Sequence, residues 1–292
     1  MNLARLTLEK VRRLRDNETL KLYLRHKRGL AGLAILSIIT CLALTADLIA
    51  LRGYAEVDLS YRLMPPSPKS PFGTDHLGRD VFSRVVYGAR IALWVGLLVV
   101  IVEACIGVPL GLLAGYYGGL VDKVISAMTD MLWAFPPIIL ALAIVTIIGP
   151  GLTNVVVAVA LVSWAPYTRV VRAKTMSIMS REFIVAARAI GESSFSIMFR
   201  YVLPNVLPSI IVLATLTIPS AILYTTALSF LGFGAQPPTP DWGLMLSEGK
   251  DYVFNAPWCV VFPGLFLTLT ALSFNLVGDA LREVLDPKLR FG

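Results

Sequence analysis

The sequence has little charge and almost nothing to do chemistry with. Only 15% of its 292 residues are Asp, Glu, Lys or Arg, against about a quarter in a soluble domain. There are two histidines, His26 and His76, too few for a histidine-based metal site or a Ser-His-Asp constellation. The three cysteines, Cys41, Cys105 and Cys259, lie within or beside apolar runs and read as packing residues, not as a disulfide or metal set. No HExxH, CxxC or GxSxG string occurs, and Gly249-Lys250-Asp251 lacks the Ser or Thr that a phosphate loop offers to Mg²⁺. No span carries a selectivity-filter string or regularly spaced arginines. The residues therefore assign no catalytic group, no metal and no cofactor. The cluster Asp75, His76, Arg79, Asp80 is the one candidate for surface chemistry, and its charges are expected to pair with each other.

What is present is apolar length: 56% of the chain is hydrophobic, and runs long enough to cross a bilayer recur. The fold class expected is all-α, a polytopic membrane protein with six transmembrane helices. Residues 1–29 hold nine Lys or Arg against three acids, and Leu3, Leu6, Val11 and Leu14 suggest an amphipathic segment on the inner surface. The first span is 30–51, with Asp47 near its outer end. Residues 52–90 form an external connection containing a Pro-rich loop and the string FGTDHLGRDVFSRVVYGAR, in which Asp80 to Tyr87 leads as helix into the next span. The remaining five spans fall within 91–278. The second, 91–114, carries Gly96, Gly107 and Gly111 for close packing and Glu103 near mid-depth. Glu103 is either part of a translocation path or a satisfied structural group. Residues 116–130 read as a short internal loop and 131–148 as the third span. The fourth, from about residue 153, is interrupted at Trp164-Ala165-Pro166. Proline-interrupted helices often line cavities, so Trp164 and Pro166 join Glu103 as candidates for the path. An external segment, 234–257, is expected to expose Trp242, Met245 and Tyr252. The tail is 279–292.

With both termini inside, 19 of the 26 Lys and Arg fall on cytoplasmic pieces and 7 on external ones. The positive-inside rule thus favours that orientation, and the net charge of +7 needs no nucleic-acid partner.

The cytoplasmic loop 169–207 is too apolar for a solvated connection. Ser180 reads as an N-cap, Glu182 lies in a first helical turn, and Gly191 stands where a left-handed C-cap belongs. Phe183, Ile184, Ala187 and Ile190 share one helical face. Phe195, Met198, Phe199 and Val202 share another, ended by Leu203-Pro204. Such stripes either dock into a partner's groove or rest on bilayer or bundle.

Val185-Ala186-Ala187-x3-Gly191 followed by Leu203-Pro204 resembles the EAA loop of ATP-binding cassette importer permeases. The external string above, ALSFLGFGAQPPTPDWG and LREVLDPKLR resemble the second permease subunit of the dipeptide, oligopeptide and nickel group. The resemblance covers nearly the whole chain from about residue 20. It implies a type I importer permease in the cytoplasmic membrane, paired with a homologous permease and served by an extracytoplasmic binding protein. Two cytoplasmic ATPases would dock on the loops, and those chains, not this one, would bind ATP and Mg²⁺. Carried over, Ala186, Ala187 and Gly191 would form the coupling helix; Glu182, Val185, Leu203 and Pro204 complete the loop. The motif's usual Glu is Val185 here, with Glu182 one turn earlier as a stand-in. Peptide cargo is the leading reading; oligosaccharides or nickel would use the same architecture. A self-sufficient secondary transporter would need paired ionisable groups in the spans, and only Glu103 lies at mid-depth.

Overall fold

The computed structural model describes residues 20–285. The amphipathic face read at Leu3, Leu6, Val11 and Leu14, and the tail beyond residue 285, lie outside the described residues. Among these, the chain is helix and connecting turn, with two isolated β-bridges, Ser67 with Ser70 and Thr74 with Asp80.

Five stretches are long and apolar enough to cross a membrane: Lys27–Leu44, Val81–Tyr117, Leu152–Met179, Ser194–Phe230 and Trp258–Leu285. A sixth is a pair of helices bent by 88°. We label the longer helices in order. Helix α1 (Lys27–Leu44) is started by His26, whose Nδ1 accepts from the Gly29 N–H at 3.0 Å. Helix α2 (Val81–Tyr117) is started by Asp80, whose carboxylate accepts from the Ser83 N–H at 2.8 Å. At 37 residues it is about 55 Å long, well beyond a hydrocarbon core of about 30 Å, so the segment read as an external lead-in and the span are one rod.

Residues 116–130 are not a loop. Gly118 and Gly119, both at positive φ (62° and 53°), turn the chain where a side chain would be strained, and α3 (Gly119–Trp133) follows. Pro136-Pro137 then breaks the run expected at 131–148, and α4 (Pro137–Ile148) leaves at the 88° bend. Its 12 residues span about 18 Å, short of a full crossing. The interruption at Trp164 separates α5 (Leu152–Ser163) from α6 (Ala165–Met179). The chain continues through α7 (Glu182–Ala189), α8 (Leu203–Phe230), α9 (Trp242–Gly249) and α10 (Trp258–Leu285).

Helices α2 and α6 run parallel and meet through glycines four residues apart. A Cβ on Gly107 would lie 2.5 Å from Tyr167 Cβ, on Gly111 2.7 Å from Thr168 O, and on Gly115 2.6 Å from Thr175 Cβ. Backbones therefore touch, and Thr168 Oγ1 donates to Gly107 O at 3.1 Å. Helix α3 is clamped beside this pair by the Arg172 guanidinium on Asp122 and by Arg169, which bonds Asp130 at 2.6 Å and lies 3.9 Å over the Trp133 ring.

Candidate functional site

The loop read as cytoplasmic begins as α6 runs out. Ser180 closes α6, its hydroxyl donating to Ser177 O at 3.1 Å, and is not an N-cap. The chain is already helical at Ser180; only at Arg181 is it extended (φ −81°, ψ 144°), so Arg181 takes the cap position of α7 without a side-chain bond. At the other end Gly191 has φ 80°. Its N–H bonds Arg188 O at 3.0 Å, and the Glu192 N–H bonds Ala187 O at 3.1 Å. This is a Schellman elbow, and it needs a left-handed residue. Ser193 caps the next turn by accepting from the Ser196 N–H at 3.2 Å. Leu203-Pro204 does not end that segment. A π-helical stretch, Ile197–Val202, passes into α8. Pro204 lies just past that π-helical stretch, in the first turn of α8. Loop and span are thus one continuous rod.

The apolar stripes divide between two sides. Ile184, Ala187, Ile197, Met198 and Val202 face inward and are buried. Phe183, Ile190 (77%), Phe195 (67%) and Phe199, all expected on those faces, are exposed, as is Val185 (60%). The Phe195 and Phe199 rings pack on each other at 4.4 Å. A helix of eight residues cannot bury both flanks on a bundle that meets it from one side. Glu182, Val185 and Ala186 lie outward on adjacent turns, while Ala187 is an inward contact. Leu203 is half-buried and Pro204 exposed. The rim is basic: Lys174, Arg181, Arg188 and Arg200 are exposed, with Arg188 5.7 Å over the Tyr116 ring. Glu192 is engaged by the Tyr201 hydroxyl at 3.3 Å.

At the N-terminal end of α2 the charges pair with one another. Asp75 accepts from the Leu77 and Arg79 N–H groups and from Arg79 Nε (2.8, 3.0 and 2.5 Å). Arg79 and Arg84 both bond Glu248 Oε2, at 2.7 and 3.1 Å. Asp75, His76 and Glu248 present ligand atoms within 4.8 Å of one another, yet two guanidiniums cancel the two carboxylates, so the cluster offers a cation no net charge. Asp80 is used as the cap of α2. The segment expected to expose Trp242 and Met245 buries both. Trp242 is 1% exposed and its Nε1 donates to Val85 O at 3.0 Å. Room for it comes from Gly88, where a Cβ would stand 2.5 Å from Trp242 Nε1. Tyr252, half-buried, stacks on His76 at 5.6 Å. Asp47 and Arg90 pair at 3.0 Å, and Arg90 with the Tyr87 hydroxyl holds the Asp47 carboxyl below the usual carboxylate range.

Of the path candidates, Trp164 is buried at the break, Pro166 is half-buried beside it, and Glu103 is 2% exposed. Sequence reasoning missed Gly115, though its spacing from Gly107 and Gly111 signals it. It also missed Glu248, which has no local signal.

Residues 107–291 match the family model described as "Binding-protein-dependent transport system inner membrane component". The chain is 46% identical over 273 residues to the dipeptide transport system permease protein DppC of Alkalihalophilus pseudofirmus, covering 94% of this chain and 90% of that protein. It is 43% identical over 272 residues to the di/tripeptide transport system permease protein DppC of Pseudomonas aeruginosa (91% and 90% covered). It is 47% identical over 225 residues to the glutathione transport system permease protein GsiD of Pectobacterium atrosepticum (77% and 75% covered). Among solved structures it resembles the inward-facing MetNI methionine ABC transporter, with a TM-score of 0.57 and 21% identity, over 69% of this chain and 96% of that one. That likeness supports the fold, a type I importer permease.

Proposed function

The chain belongs to the binding-protein-dependent transport system inner membrane components, and from that membership we propose that it forms half of the translocation path of an ATP-driven importer of di- and oligopeptides. Its relatives at 46% and 43% identity are named for dipeptide and di/tripeptide transport, which supports that cargo class. A homologous second permease supplies the other half, a binding protein delivers cargo outside, and both termini lie in the cytoplasm. ATP and Mg²⁺ are held by two separate ATPase chains; this chain contributes no catalytic group.

One observation carries the coupling role. The loop from Glu182 to Phe199 is anchored inward by Ile184, Ala187, Ile197 and Met198, while Phe183, Val185, Ile190, Phe195 and Phe199 stand out of the protein. Apolar surface held outward on a rigid seat fits a partner's groove. Residues Glu182, Val185, Ala186, Ala187, Gly191, Leu203 and Pro204 form the coupling element. With Val185 at the position of the family's Glu, the contact there is apolar. A push on this element passes two ways: through the contact of α7 with α6 and through Arg188 on Tyr116 of α2, and directly along Ser194–Phe230.

The test is to tag the chain, extract it from its own membranes and identify what copurifies. Two ATPases and a second permease are expected. ATP hydrolysis by the reconstituted complex should rise with peptide-loaded binding protein. A chain that purifies alone, or a complex that no peptide stimulates, defeats the reading.

A further inference from the structure

Glu103 stands apart from everything above. It is 2% exposed, and its Oε2 is buried without a hydrogen-bond partner. It lies one turn before Gly107, whose backbone touches Trp164 O and Tyr167 Cβ. That register sets it at the break between α5 and α6, where Ser163 Oγ is also buried and unpartnered. The break frees main-chain acceptors at this depth. Pro166 has no N–H to return to Val162 O, and the Tyr167 N–H bonds Trp164 O instead of Ser163 O.

No cation answers the carboxyl. Its own helix has no other charged residue between Arg90 and Tyr117; Arg90 is 13 positions away, about 20 Å along the axis. Helices α5 and α8 contain no Asp, Glu, Lys, Arg or His, and on α6 the titratable group facing Glu103 is Tyr167. Tyr167 already shares a 2.7 Å bond with Thr217. Charged residues of α1 (Lys27, Arg28), α3 (Asp122, Lys123, Asp130), α9 (Glu248) and α10 (Asp279, Arg282, Glu283) belong to the membrane faces, and Arg200 to the loop. A bare carboxylate buried among apolar groups is many kcal/mol too costly, and the group neutralises instead. The neutral acid is a donor, and the break leaves freed carbonyls at the same depth, although none bonds Oε2 in the packed arrangement.

We propose that Glu103 is a proton-binding site inside the membrane: it holds its proton while α2 is packed on the α5–α6 break, and releases it when that contact opens and wets during transport. The site takes a proton and no larger ligand, since the surrounding side chains leave Glu103 all but covered. Low pH then favours the packed arrangement, and transport acquires a pH dependence that runs through this one residue. The second part rests on the reading of the chain as a transporter; the first does not.

Infrared spectroscopy of the purified chain in lipid near neutral pH tests the first part. A protonated-carboxyl band that Glu103→Gln removes is the expected result. Absence of such a band, or its persistence in the variant, overturns the proposal whatever the protein transports. For the second part, peptide-stimulated ATP hydrolysis of the reconstituted importer is followed against pH. Glu103→Gln should keep activity within a few-fold at low pH and flatten the profile, and Glu103→Asp should restore a pH dependence with a displaced midpoint. An unchanged profile in Glu103→Gln overturns it. If Glu103→Gln fails to assemble, the Glu103→Asp profile decides: a midpoint identical to that of the parent chain overturns the proposal. A parent complex that no peptide stimulates at any pH tells against the importer reading and leaves the infrared result to stand or fall alone.

Discussion

The two faces of this molecule treat their side chains in opposite ways. At the N-terminal end of α2 most polar groups are paired: Asp75, Arg79, Arg84 and Glu248 satisfy one another, and Trp242 and Trp258 each spend their N–H on a buried carbonyl, Val85 O and Thr74 O, while Asp80 Oδ1 is buried without a partner. At the other end of α2, Phe183, Val185, Ile190, Phe195 and Phe199 stand exposed, Phe195 and Phe199 against each other. A surface that closes on itself is a structural plate. A surface that buries one flank and exposes the other fits a partner, as proposed above. The charge-rich string FGTDHLGRD looks like a site and is architecture; the bland VAARAIG looks like packing and leaves Val185 and Ile190 exposed, part of the surface proposed above for a partner.

The comparison can be broken by substitution. The largest effect is expected in the plate: Trp242→Ala, emptying a space fitted by Gly88, should cost about 3–5 kcal/mol of fold stability, read as a lowered thermal midpoint of the purified chain. An unchanged midpoint would mean the plate does not hold the bundle together. Next is Gly191→Pro. Proline cannot adopt φ 80° and has no N–H for Arg188 O, a local cost of about 3 kcal/mol. Confined to the elbow, it should spare the thermal midpoint while peptide-driven uptake falls at least about tenfold, a rate loss worth about 1.4 kcal/mol or more. Normal uptake in vesicles would sink the coupling role of the elbow.

A sharper test sets neighbours against each other. Ala187 is 3% exposed and Ala186 faces outward. Ala187→Arg buries a charge and should destabilise the loop by about 1–3 kcal/mol, seen as faster proteolysis there. Ala186→Arg should leave proteolysis unchanged, yet weaken ATPase copurification. Equal behaviour of the two would show that the loop has no defined inward face. The smallest effect is expected at Arg169→Ala. The Asp130 partner is well exposed, so the ion pair is worth about 0.2–1 kcal/mol, and only the stacking on Trp133 adds to that. A shift as large as that of Trp242→Ala would mean that α3 is a principal support.

Much of this was legible in the residues, and the misses have a common cause. Asp80 and Gly191 announce helix ends because a cap is a contact with residues two to five positions away. The break at Trp164-Ala165-Pro166 is legible because proline acts on its own turn. Ser180 misled because a cap must be extended, and the turn closing α6 left that to Arg181. Residues 116–130 read as a loop, yet Gly118-Gly119 are only the corner between two helices. Phe183, Ile190, Phe195 and Phe199 sit at helical spacing, which shows that a stripe exists and not which flank of it meets the bundle.

The sequence alone determined the membrane character, the helical class and the family. Each depends on hydropathy over about twenty residues, on local caps, or on whole strings. The tertiary structure alone decided that Arg79 answers Glu248, 169 positions away; that Trp242 fills the space left at Gly88; and that Glu103 reaches the break between α5 and α6 with nothing to bond. Those facts depend on which helices touch and at what register. Register here is set by the backbone contact at Gly107, Gly111 and Gly115, which a one-dimensional pattern permits but does not place.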